Sequence, residues 1–189
     1  VEMFPERGEE LLFPRQVLFE NPVLVGDKKI VHNKGGSFFR FFLDGAERSY
    51  RVIDASVKGH FLPLCAGQIG VAVLERDEEK KRFIPVRHLT CIKNILSIPN
   101  LWDEDTRNEI ETQINATLPP VHHFKVVRYN YEANSDKDPG DLGRAMIIQE
   151  MQKYELKTIR EMIERNLITD KQMLAKDGGL QYRYDKVKD

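Results

Sequence analysis

At 189 residues, with 41% apolar and 9% aromatic side chains, the chain is long enough for one domain with a real core and is not of disordered composition. Its formal net charge of −1 neither favours nor excludes nucleic acid, because affinity for phosphate depends on a local basic surface. No apolar run approaches the roughly 18 to 20 residues of a membrane span and no secretory signal opens the chain, so the default location is cytoplasmic and no membrane partner is expected.

The chain begins with Val1, so its natural start is expected further upstream. Residues 1–30 hold Pro5, Pro14 and Pro22 among short apolar patches, which predicts an irregular N-terminal arm before a main domain over 31–189. The first strong element is SFFRFFL, Ser37 to Leu43, a nearly continuous apolar run that predicts a buried strand stopping at the turn signal Asp44-Gly45. Gln68 to Glu75 predicts a second strand. After the polar loop Arg76 to Lys81, Arg82 to Val86 predicts a returning one. Together they suggest a three-stranded meander.

His88 to Leu96 reads as strand or helix. Asp103 to Leu118 has helical character and stops at Pro119-Pro120, and this region has the look of an insertion. His123 to Tyr131 alternates in part, as a strand does. A polar loop leads to a long helix from Asp141, read as its cap, to about Asn166. The short strand Met173 to Lys176 then delivers Asp177-Gly178-Gly179, and the charged segment Arg183 to Asp189 ends the chain. The basic runs Lys28-Lys29, Lys80-Lys81-Arg82 and Arg87-His88 are short and read as solvated faces. Cys65 and Cys91 lie in separate apolar segments without metal-ligand spacing, as reduced buried thiols do.

The acids carry the chemistry. Asp44-Gly45 and Asp177-Gly178 each follow an apolar strand, where a carboxylate stands on a rigid platform and glycine leaves room for a ligand. Either pair alone is also a common turn dipeptide. On a helical projection from Asp141, residues Ile148, Met151, Ile159, Met162 and Ile163 share one face, and Glu155 lies within it. Glu150, Glu161 and Glu164 fall on the opposite face and read as solvated. A carboxylate among core residues costs several kcal/mol unless it is paired or binds metal. Arg144 on the same side is about three turns away, too far for direct pairing, so hydrogen bonds to backbone or tyrosine groups are the other way to satisfy Glu155.

In their order, FFLDGAERS and GHFLPLCAGQIGVAVLERD, then GRAMIIQEMQKYELKTIREMIERNLI and MLAKDGGLQYR, resemble the NurA-domain nucleases. The likeness covers most of residues 36–183 and is weakest over 88–130. It departs where Gly179 replaces the serine of the family's Asp-Gly-Ser-Leu motif. The resemblance implies an α/β, RNase H-like mixed sheet, an antiparallel three-strand meander plus a parallel strand, with flanking helices. It implies Asp44, Glu155 and Asp177 as the acidic ligands of two Mn²⁺ or Mg²⁺ ions, with Asp44 bridging them. One ion would activate water and the other would stabilise the leaving oxygen.

Glu161 is the alternative helical acid, and Arg48 a candidate phosphate contact. The implied activity is DNA end processing by 5′–3′ exonuclease and single-strand endonuclease action. The implied partners are DNA, a HerA-type hexameric ATPase and a second copy of the chain. The family's later histidine and tyrosine elements have no counterpart before Asp189, so the chain is read as the N-terminal portion of such a metal-dependent deoxyribonuclease, and whether this portion is active by itself is left open. His32, His60, His88, His122 and His123 all precede the second acidic motif and do not replace them by order. His122 and His123 are adjacent and would point apart in a strand. Two other classes remain open: a non-catalytic RNase H-like domain docking on a partner ATPase, and another RNase H-like nuclease of resolvase or Argonaute type. There is no Walker or dinucleotide glycine loop and no Gly-x-Ser-x-Gly elbow.

Overall fold

The computed structural model describes residues 39–177. The expected arm, the first residues of the first strand, Gly178-Gly179 and the charged tail lie outside the described residues. Those described form an α/β unit with a six-stranded mixed sheet in the order β5-β4-β2-β1-β6, with β3 also on β2. The strands are β1 (Phe39–Val57), β2 (His60–Asp77), β3 (Arg82–Pro85), β4 (Cys91–Pro99), β5 (Phe124–Tyr129) and β6 (Met173–Lys176). The helices are α1 (Glu104–Ala116) and α2 (Pro139–Glu164).

The chain does not turn at Asp44-Gly45. β1 runs on to Val57, because β2 pairs with it antiparallel in continuous register through Asp44↔Ala72 and Gly45↔Val71. A ladder on both sides of the dipeptide overrides its local turn preference. The real turn is Lys58-Gly59, with φ of 49° and 83°. Positive φ at both central positions is the geometry whose twist suits a two-residue hairpin. β2 therefore starts at His60, earlier than the predicted Gln68.

The third strand of the meander is split. β3 pairs with the end of β2, from Leu74↔Pro85 to Asp77↔Arg82. After a short 3-10 turn at Arg87–Leu89, β4 pairs with the middle of β2, from Cys65↔Ser97 to Val71↔Cys91. The ambiguous 88–96 segment is thus mainly strand. α1, capped by the Asp103 side chain on the Thr106 N–H, leads to β5, which runs parallel to β4. α2 then crosses to β6, which runs parallel to β1. Its N-cap is Asp138 rather than Asp141, the side chain accepting from the N–H groups of Gly140 and Asp141.

Two apolar clusters fill the α2 face. One joins Phe41, Leu43, Val71, Val73 and Met162, and the other Cys65, Ile69, Ile95, Val127 and Ile147. On the opposite face Leu96, Ile98 and Val126 pack with Ile110 and Ile114 of α1. Glu155 is buried as its phase predicts. Two expectations on α2 fail: Ile163 is 56% exposed, and Glu150 is 2% exposed instead of solvated. The buried residues Ile147, Glu150, Glu155, Thr158 and Met162 share one side of the helix, and that side is turned toward Glu150 and away from Ile163 relative to the projected stripe. Cys65 is buried, Cys91 half-buried, and both are free thiols.

Candidate acidic cleft

β1, α2 and β6 bring the three predicted acids to one cleft of about 250 Å³, lined by Asp44, Gly45, Met151, Gln152, Glu155, Lys176 and Asp177. Strand pairing sets their levels. β6 pairs with β1 up to Leu43↔Lys176, and the Asp177 N–H then donates to the Leu43 carbonyl at 3.3 Å. Asp177 thus stands beside Asp44 where β6 leaves the edge of β1. Glu155 comes over the sheet from α2 and rests on Gly45. A Cβ at Gly45 would lie 2.3 Å from Glu155 Oε1 and 3.1 Å from Met151 Sδ, so the missing side chain is what admits the carboxylate. Here the glycine of Asp-Gly serves close approach and not a turn.

Alternation along β1 separates the acids. Leu43 and Gly45 face α2, so Asp44 between them projects toward the other face. There it borders a broader concavity with Phe42, Ala46, Gly70 and Ala72, which Asp177 also reaches. Asp44 and Asp177 are exposed, whereas Glu155 is 4% exposed. The buried carboxylate has a partner absent from the sequence reading: Lys176 Nζ lies 3.0 Å from Glu155 Oε2, with side-chain exposures of 12% and 5%. The signal was available in MLAK, because alternation puts Lys176 on the same side as Leu174, which packs into the core. Glu161 is half-buried and pairs with Arg165 at 2.6 Å, which leaves Glu155 as the helical acid of the cleft.

No protein-family model matches the chain, and no curated protein matches it.

Hard oxygen donors of this kind suit Mg²⁺ or Mn²⁺. Their spacing here does not make a ready cage. Among the described residues no group of three or more His, Cys, Asp or Glu side chains is placed to hold a metal ion. The ammonium of Lys176 occupies Glu155 instead. His123 Nε2 lies 3.0 Å from the Leu118 carbonyl oxygen, away from the acids. Among the described residues no helix is long and apolar enough to cross a membrane.

A second charged cluster lies further toward the start of α2. Both oxygens of buried Glu150 are taken, by Lys125 Nζ at 2.6 Å and by Lys153 Nζ. Burial opposes ionisation of Glu150, but the two lysine hydrogen bonds outweigh it and hold the carboxyl below its ordinary range.

Proposed function

We propose that this chain is a metal-dependent DNA nuclease domain of RNase H-like architecture. The observation that carries the reading is the cleft itself: acids from β1, α2 and β6 border one space, and Gly45 is open to the helical one. The topology supports it. β1, β2 and β4 form an antiparallel meander, β6 lies parallel to β1, and α2 crosses between them. β5, parallel to β4, and α1 are additions to that plan.

In this reading the chain's own groups divide the work. Asp177 at the β6 edge and Asp44, turned to the other face of β1, are the exposed acids, and Glu155 is the buried one. Lys176 is paired with Glu155, so it would have to release that carboxylate for Glu155 to help hold a divalent cation. Bound Mn²⁺ or Mg²⁺ would supply Lewis acidity toward a phosphodiester. The NurA resemblance adds a cytoplasmic end-processing role, a homodimer and a HerA-type ATPase as partner. A second reading, a non-catalytic domain that docks on such an ATPase, is favoured by the Glu155–Lys176 pair and by the opposed direction of Asp44.

Calorimetric titration with Mn²⁺ separates the two readings. The nuclease reading expects binding that weakens about tenfold or more in each of Asp44→Asn, Glu155→Gln and Asp177→Asn, about 1.4 kcal/mol per site. Absence of Mn²⁺ binding to the wild-type chain, or equal binding by all variants, rejects it in favour of the docking domain.

A further inference from the structure

From the lysines gathered on buried Glu150, we infer that the surface between β5 and α2 is a binding track for the phosphate backbone of single-stranded nucleic acid. The inference rests on the nuclease reading for its ligand, but its residues are separate from the acidic cleft. Two adjoining concavities meet at Lys125, Glu150 and Lys153. The smaller, of about 230 Å³, adds Tyr154 and Lys157. The larger, of about 630 Å³, runs on to Arg107 and Arg128.

The charge is concentrated. Lys125, Lys153 and Lys157 face one carboxylate, in a chain whose net charge is −1. At the far end Arg107 and Arg128 are both tied to Glu104, and Arg107 also to Glu111, so that end is close to neutral. The basic end is therefore the binding end.

Glu150 makes these lysines more than a solvated face. It is 2% exposed and holds both ammonium groups, while the Lys125 and Lys153 side chains stay 48% and 63% exposed. Each ammonium carries three donors, so each keeps donors directed at solvent. A carboxylate anchored in the core thus fixes two cations in place and lowers the entropic cost of their meeting an anion. Lys157 is one turn beyond Lys153, about 6 Å along the helix, a step suited to successive phosphates of an extended strand. Lys125 also lies 6.0 Å from the centre of the Tyr154 ring, so an aromatic face borders the track.

The test is fluorescence anisotropy with a labelled single-stranded oligodeoxynucleotide of mixed sequence, in EDTA, across a KCl series. Lys153→Gln/Lys157→Gln removes two exposed charges, and Lys80→Gln/Lys81→Gln in the β2–β3 loop removes two elsewhere. The expected result is roughly tenfold weaker binding for the first variant, with a salt slope lower by about 1.4, and little change for the second. Equal loss in the two variants, no binding by the wild-type chain, or equal competition by poly-glutamate would each overturn the inference. Since EDTA removes divalent cations, this result is independent of the Mn²⁺ titration. Either surface can therefore fail without the other.

Discussion

At the scale of single residues, the Glu155–Lys176 pair is the sharpest feature of the cleft. Two opposite charges with 5% and 12% side-chain exposure lie 3.0 Å apart. Desolvating both is costly, so the pair adds little net stability, but removing one partner strands the other. Lys176→Met is expected to destabilise the fold by about 3 kcal/mol, and Glu155→Met/Lys176→Met to recover most of that loss. Urea midpoints of the two single variants and the double variant check this. Near-additive losses would mean that the charges do not depend on one another. Lys176→Met also serves the metal question: once the competing ammonium is gone, Mn²⁺ should bind more tightly than in wild type if Glu155 is a ligand.

At the scale of elements, the β1–β2 hairpin organises the sheet, and its turn is where a substitution should be felt. Lys58 and Gly59 both have positive φ, and no atom lies within 4 Å of a Cβ built at Gly59. Gly59→Ala therefore tests backbone strain alone and should cost about 1 kcal/mol, read as a lowered urea midpoint. Asp44-Gly45 was the stronger turn signal in the sequence, and it was misleading. A dipeptide reports local preference, while the sixteen paired positions of β1 and β2 are long-range and invisible to a short window. By contrast, the burial of Glu155, the helix over 139–164 and the strand at 173–176 were legible, because 3.6-residue phase and short apolar runs are local signals. Glu150 shows where phase fails. Its burial depends on which side of α2 the sheet covers and on Lys125 from β5, neither of which can be read from α2 alone.

At the scale of the whole molecule, buried ionisable groups bound the pH range of stability from both sides. Tyr129 on β5 is 1% exposed and donates its phenolic hydrogen to the Pro63 carbonyl of β2 at 2.9 Å, tying two strands that are not neighbours. Burial is the main reason its pKa is pushed far above the ordinary phenol value, and the buried Cys65 thiol is raised for the same cause. A group raised in the folded state contributes stability that is complete below its unfolded pKa, about 10 for tyrosine and 8.5 for cysteine, and is lost as pH rises beyond. Glu150 works in the opposite sense. Its lowered pKa contributes stability present above the ordinary carboxylate range and lost as pH falls through its depressed folded value. Stability should therefore show a plateau near neutrality, an acid limb and an alkaline limb. Tyr129→Phe is expected to cost about 1 kcal/mol on the plateau, through the lost hydrogen bond, and to flatten the limb above about pH 10. Urea unfolding across pH on wild type and Tyr129→Phe measures both effects. An alkaline limb unchanged in the variant would assign it to Cys65 and to the lysines instead.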